Sequence, residues 1–77
     1  MDIELRLLKS FVAIFECGTL SRAAERLGCT QAAMSMRLKL LETEVGEQLF
    51  RRRHHRLEPM PAAMDLYGHA LKVLSAY

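Results

Sequence analysis

Positive charge is concentrated in six consecutive residues of this 77-residue chain. The whole chain carries eleven Lys and Arg against nine Asp and Glu, a formal net charge of only +2, so it is not a general polycation. Four of the eleven cations fall in the run Arg51, Arg52, Arg53, His54, His55 and Arg56. Arginines on an exposed segment bind phosphates, and in a narrow minor groove they read DNA shape. An exposed hairpin kept soluble by its charge is the alternative.

A second set of polar residues begins at Thr30, which is a suitable N-cap for a helix that lasts until Val45-Gly46. The first turns of such a helix can enter the major groove of DNA, where Gln pairs with adenine and apolar groups meet thymine methyls. Ordinary solvated surface is the alternative reading of this face. The predicted base contacts are Thr30, Gln31, Ala32, Ser35 and Met36.

Two shorter helices precede this one and must position it. The first is predicted over residues 3–17, with Asp2 as its N-cap and Gly18 as its stop. The second is predicted over residues 22–27, capped by Ser21, and is too short to be stable alone. The apolar residues that predict the core faces of the first and third helices are Leu5, Leu8, Phe11, Val12 and Phe15, and Met34, Leu38, Leu41 and Val45.

The turn between the second and third helices has the spacing of a helix-turn-helix, predicted over residues 19–38. Ala24 is small where the helices cross, Gly28 can adopt the left-handed turn conformation, and Met34 fills the angle between the helices. After Gly46, two short strands around His54-His55 predict a wing over residues 49–59, anchored by Leu49, Phe50 and Leu57. The fold class is therefore mostly α, a winged helix-turn-helix over residues 1–60.

Residues 61–77 predict a projecting linker helix with a one-sided apolar seam, which favours pairing with another helix. A cap on the domain's own core is the alternative. The predicted dimerisation residues are Ala63, Leu66, Tyr67, Ala70, Val73, Leu74 and Tyr77.

Other chemistry finds little support in the sequence. The two cysteines, Cys17 and Cys29, have no zinc or CxxC spacing, and His54-His55 lacks a third metal ligand nearby. No catalytic cluster surrounds the three histidines, and no glycine loop suits a phosphate, so an enzyme is not expected. A signal peptide or transmembrane run is also missing, and we expect a cytoplasmic location without a membrane partner.

The chain resembles the amino-terminal domain of LysR-type transcriptional regulators from about Leu5 to its end. The motifs that carry the resemblance are Leu5-x-x-Leu8-x-x-Phe11-Val12-Ala13, Gly18-Thr19-Leu20-Ser21-Arg22-Ala23-Ala24-x-x-Leu27, Thr30-Gln31-x-Ala33-x-Ser35, Leu41-Glu42-x-Glu44-x-Gly46 and Leu49-Phe50-x-Arg52.

This resemblance implies sequence-specific binding of double-stranded promoter DNA at an interrupted palindrome, by a homodimer joined through the linker helix or by a tetramer. Gln31 and Ser35 would contact bases or nearby phosphates, and Arg52 the minor groove beside the wing. The predicted backbone contacts are Ser21, Arg22, Arg37 and Lys39. We expect no cofactor in this domain, and a small-molecule effector in a further C-terminal domain that the chain lacks.

The sequence departs from the family pattern at four positions. Ala32 stands where Pro or Ser is usual, and Met36 where Arg or Gln is common, so the reading face is unusually apolar. Met60 and Ala63 replace a capping Thr and a glycine at the start of the linker helix, where Pro61 still suits a first turn. The DNA sequence of the operator therefore cannot be inferred from relatives. The alternative function is that of a winged helix used only for protein interaction.

Overall fold

The computed structural model describes residues 3–77 and contains four helices and one two-stranded antiparallel sheet. The predicted class, a mostly helical winged helix-turn-helix, is confirmed. The elements in chain order are α1 (Leu5–Cys17), α2 (Leu20–Leu27), α3 (Gln31–Val45), β1 (Phe50–Arg53), β2 (Arg56–Pro59) and α4 (Pro61–Leu74).

Helix α1 is the central element, since α2, α3 and α4 all pack against it. It begins at Leu5 with Glu4 at the N-cap position, and the predicted cap Asp2 lies outside the described residues. Phe11 and Ile14 are almost completely buried on its inner face, as the apolar spacing of the helix requires. The helix ends at Gly18, whose N–H donates to the Ile14 carbonyl.

Helix α2 begins two residues earlier than the sequence suggested. The hydroxyl of Thr19 accepts a hydrogen bond from the Arg22 N–H at 3.2 Å, so Thr19 is the N-cap. The prediction that Ser21 caps this helix is therefore wrong, and Ser21 lies exposed in the first turn. Thr19 and Ser21 both have a hydroxyl that can cap a helix. The side chain of Leu20 is buried in the core as the first residue of α2, and this placement leaves Thr19 at the N-cap position.

The helix-turn-helix geometry agrees with the predicted spacing. Gly28 adopts a left-handed conformation with φ 69°, and the following Cys29 N–H donates to the Ala24 carbonyl at 3.0 Å. Ala24 and Met34 are buried where α2 and α3 meet. Thr30 caps α3 as predicted, because its hydroxyl accepts from the Ala33 N–H at 3.0 Å.

The wing is a tight hairpin whose strands pair Arg51 with Glu58 and Arg52 with Leu57. Its two-residue turn consists of His54 at φ 52° and His55 at φ 66°. Two successive positive φ values define the type of turn that matches the twist of paired strands and usually holds Asn-Gly. Leu49, Phe50 and Leu57 are buried and anchor the hairpin to the core as predicted.

Helix α4 lies against α1, and this contact corrects the predicted dimer seam at two positions. Ala63 and Ala70 are fully buried within the chain, so they cannot contact a second copy. Tyr67 stacks on Phe15 with ring centroids 4.0 Å apart, and Tyr77 lies beyond the helix end. The alternative, a cap on the domain's own core, is correct for the side of α4 that carries Ala63 and Ala70. The other partly buried residues that pack on the core are Leu66, Val73 and Leu74.

Tyr67 also joins α4 to the polar end of α1. Its hydroxyl donates to Oε2 of Glu16 at 2.5 Å, and Nη1 of Arg26 in α2 contacts Oε1 of the same carboxylate at 2.6 Å. Glu16 therefore links α1, α2 and α4 at the surface. Among residues 3–77, no helix combines the length and apolar character that crossing a bilayer requires.

Candidate nucleic-acid interface

The first turns of α3 present short side chains to solvent. Gln31 and Ala32 are exposed, Ser35 is half-buried, and Met36 is 64% exposed. The Thr30 hydroxyl satisfies the Ala33 N–H, which leaves other amides of the first turn pointing outward. The positive end of the helix dipole therefore coincides with the face that carries Gln31, an arrangement that favours a nearby anion.

One groove joins this helix start to α2 and to the wing. Arg22 lines it from the first turn of α2, and Gln31 lines it from α3. The hairpin contributes the side chains of Arg52 and His55. The complete lining is Thr19, Leu20, Ser21, Arg22, Glu25, Gln31, Arg52, His55 and Leu57. Three separate segments thus place predicted DNA-contacting groups around a single concave surface.

A neighbouring groove continues the same surface along α3. Ser35 and Lys39 line it from the helix, and Arg52 lines it from the wing. Arg52 therefore lies between both grooves, whereas the residues before and after it point to the other face of the hairpin. Cationic side chains from α2, α3 and the wing line this surface, together with the carboxylates of Glu25 and Glu42.

The other wing arginines have partners within the chain. Nε of Arg51 lies 3.1 Å from Oε1 of Glu58, and Nη1 of Arg53 lies 3.9 Å from the same oxygen. Nη2 of Arg56 approaches the carbonyl of Cys17 at 3.5 Å. The four arginines of the predicted basic run therefore lie in different environments.

Comparison with known proteins matches residues 5–64 to the family model described as "Bacterial regulatory helix-turn-helix protein, lysR family". A crystal structure of a CbnR DNA-binding domain in complex with DNA superimposes with a TM-score of 0.92 at 31% identity, over 96% of this chain and 85% of that chain. A DNA complex of the BenM DNA-binding domain gives 0.90 at 35% identity, over 96% and 83% of the two chains. The chain belongs to the LysR family. It is the helix-turn-helix DNA-binding domain of that family.

Regulators with this LysR-family domain are longer than the chain described. The Small neutral protease regulatory protein of Streptomyces coelicolor is 36% identical over 75 residues, which are 97% of this chain but 23% of that protein. The chain therefore spans about a quarter of the length of that relative.

Thr30, Ala32 and Met36 of the predicted reading face lie beside the two grooves of this LysR-family domain without lining them, and Arg37 is directed elsewhere. Nη1 of Arg37 donates to Oγ of Ser10 at 3.3 Å and to Sγ of Cys29 at 3.7 Å, so its side chain is directed to α1 and the helix-turn-helix turn. The predicted backbone contact by Arg37 does not fit this geometry. Position 37 follows the buried Met34 by three residues and therefore lies close to the core side of α3.

Two residues of the LysR-family domain hold the wing in place, and the sequence alone does not predict this role. Oε2 of Glu42, in the last turn of α3, accepts a hydrogen bond from the Leu49 N–H at 2.8 Å. Nε2 of Gln48 donates to the Phe50 carbonyl at 2.8 Å. The sequence places Glu42 only within a family motif, because a side chain that bonds a backbone group seven residues away leaves no periodic signal.

Proposed function

We propose that this domain binds double-stranded DNA in a sequence-specific manner, with α3 in the major groove and the wing at the adjacent minor groove. The observation that supports this most directly is the single groove lined by Arg22, Gln31, Arg52 and His55. An α-helix fits the width of the major groove, and the neighbouring phosphates then fall under the cations at its edges.

Two kinds of contact follow from the chemistry of this surface. Gln31 has the donor and acceptor pair that matches adenine, and the methyl of Ala32 and thioether of Met36 suit thymine methyls. Arg22, Lys39 and Arg52 supply charge, which binds phosphate irrespective of sequence. In this proposal α3 provides specificity, and the flanking cations provide much of the affinity.

The domain acts as a homodimer, and the surface that pairs is the outer stripe of α4. Met64 is 59% exposed and Leu71 is 42% exposed on this stripe. Gly68 lies between them, and a Cβ added there would meet no atom within 4 Å, so a second helix can approach closely. Asp65 and Lys72 flank the stripe at the same spacing as the two apolar residues.

This charge arrangement favours a second copy of the chain over another partner. In an antiparallel pair of α4 helices that cross near Gly68, Asp65 of one copy faces Lys72 of the second copy, and the two-fold axis repeats the contact. A two-fold dimer presents its two α3 helices to two half-sites of opposite orientation, which is the symmetry of an interrupted palindrome.

In the whole regulator, this binding controls transcription from a nearby promoter in the cytoplasm, without a catalytic step or a membrane partner in this domain. A small-molecule effector acts on a part of the protein outside these 77 residues, and tetramers of the full-length protein join two dimers. The family membership supports these statements. The alternative of a protein interaction module is disfavoured because the groove beside α3 holds two arginines and one histidine against a single acidic residue, Glu25.

The proposal can be tested by a salt titration of binding to DNA fragments that have been selected for affinity. We expect the logarithm of the association constant to fall linearly with the logarithm of salt concentration, by about 0.9 for each phosphate contacted. The selected fragments should share a half-site and its inverted repeat. A binding constant independent of salt, or no binding at low salt, would contradict DNA binding.

The dimer surface requires its own experiment. Leu71→Glu should convert the domain to a monomer in sedimentation equilibrium and abolish preference for paired half-sites. Leu40→Glu is the matched control, because Leu40 is similarly exposed at 49% but lies on α3. An unchanged dimer in Leu71→Glu would contradict pairing through the outer stripe of α4.

A further inference from the structure

Arg56 differs from the other wing arginines because its guanidinium lies on the turn between α1 and α2. A Cβ added to Gly18 would collide with Nη2 of Arg56 and would lie 3.0 Å from its Cζ and 3.3 Å from its Nε. Three atoms of one planar group approach the same point. The Nη2 end of the guanidinium therefore lies against Gly18, in the space that a side chain on residue 18 would occupy.

The turn between α1 and α2 contacts both the Arg56 side chain and the backbone of β2. Nη2 of Arg56 lies 3.5 Å from the carbonyl oxygen of Cys17, the last residue of α1. The next residue of the strand, Leu57, donates its N–H to the Gly18 carbonyl at 2.8 Å. A cation at the carboxyl end of a helix is favourable because the unpaired carbonyls there carry partial negative charge.

This orientation also removes a charge conflict within the hairpin. Arg53 and Arg56 are paired across the two strands, a position in which like charges repel. Arg53 turns towards Glu58, at 3.9 Å, whereas Arg56 turns towards the end of α1. The two guanidinium groups thus leave the hairpin in different directions.

We infer that Arg56 is a positioning residue of the wing, and that its charge is directed to α1 rather than to a phosphate. It holds β2 on the turn between α1 and α2, and it thereby fixes where Arg52 meets the minor groove. The inference rests on the proposed function for its consequence in DNA binding, but the anchoring itself is a property of the free domain.

The test uses the difference between arginine and lysine. Lysine keeps the charge, and as a flexible point charge it can still bind a phosphate, but it has no planar group to cover Gly18. Arg56→Lys and Arg56→Ala should both weaken binding to the selected DNA, by roughly two- to fivefold. Arg53→Lys is the matched control in the same hairpin and should bind like the wild type.

A double-mutant cycle separates positioning from general loss of stability. Arg52→Ala should reduce affinity less in the Arg56→Lys background than in the wild type, because the displaced wing has already lost part of the Arg52 contact. Additive losses would overturn the inference. So would wild-type affinity in Arg56→Lys, because a phosphate contact is the role that lysine can replace.

Amide hydrogen exchange in the free domain gives a readout that needs no DNA. The Leu57 amide should exchange several times faster in Arg56→Lys than in the wild type or in Arg53→Lys, because the bond to Gly18 opens more often. Equal exchange rates would overturn the anchoring role. If the wild type fails to bind DNA while exchange behaves as expected, the proposed function fails and the anchoring stands.

Discussion

The recognition helix α3 and the wing border the same groove but differ in charge. The first turns of α3 carry Gln31, Ala32, Ser35 and Met36, all uncharged, whereas the hairpin contains four arginines. Only Arg52 of those four lines both grooves beside α3. The comparison shows that the number of cations in a segment is a poor measure of its contribution to binding, because the direction of each side chain decides which of them can reach DNA.

Gln31→Ala should give the largest effect on specificity. Loss of a bidentate contact to one base should reduce discrimination against the wrong base by roughly 1 to 3 kcal/mol, while non-specific affinity and the salt dependence stay nearly unchanged. Competition binding between the selected site and single-base variants measures this. If all sequences weakened equally, the assignment of base reading to α3 would have to be abandoned.

Arg52→Ala should show the opposite signature. We expect weaker binding to all sequences and a decrease of about 0.9 in the slope of log K against log salt, as for one lost phosphate contact. Arg51→Ala is the control, because Arg51 lies 3.1 Å from Glu58 on the other face of the hairpin. Equal slopes for the two variants would remove the distinction between the faces of the wing.

Thr30→Ala tests how strongly the start of α3 depends on its cap. The hydroxyl accepts from the Ala33 N–H at 3.0 Å, and its loss should reduce the free energy of unfolding by about 1 kcal/mol. Thr30→Ser keeps the hydroxyl and should retain most of the stability in urea denaturation. A Ser variant as unstable as Ala would show that the methyl group, not the cap, is important.

The smallest effect is expected far from DNA, at the surface link between Glu16 and Tyr67. The hydrogen bond from Tyr67, and then that from Arg26, lower the pKa of Glu16 below its usual 4.5, against the opposing effect of burial. The link therefore stabilises the fold above pH 4.5, and this contribution is lost as pH falls through the lowered pKa. The hydrogen bond to Glu16 also raises the pKa of Tyr67, so the contribution is lost again at strongly alkaline pH.

Tyr67→Phe keeps the stacking on Phe15 but removes the hydroxyl. We expect a slightly lower melting temperature at pH 7, and a difference from the wild type that shrinks as the pH is lowered below 4.5. Because the groups are largely exposed, the shift should be small. A difference that is constant down to the lowest pH at which the fold persists would contradict the link.

Local patterns predicted the elements well but not the partners of individual side chains. Gly28 and Met34 marked the helix-turn-helix because the turn geometry restricts those positions to few residue types. Ala63 and Ala70 were assigned to a dimer seam, since a one-sided apolar helix looks the same whether it meets its own core or another chain. The contact with α1 distinguishes these cases, and that contact depends on residues about fifty positions earlier.

The candidate site was predictable to a similar degree. The side of α3 that carries Gln31 and Ser35 follows from helical spacing once the core side is known, and the site residues of this face remain predictions until they are tested with DNA. Arg37 is a predicted backbone contact, and Arg56 is a predicted member of the wing. Their actual neighbours, Ser10 and Gly18, belong to another helix and its end, which no local pattern can identify.

The hydrogen bond between Glu42 and the Leu49 amide has a consequence for the shape of the operator. A side chain from the last turn of α3 holds the segment that leads into the wing, so the opening between the two DNA-facing parts, α3 and the wing, is fixed. DNA whose neighbouring grooves do not match that opening must bend or change its groove width to fit. Base pairs that no side chain touches would then affect binding through their stiffness.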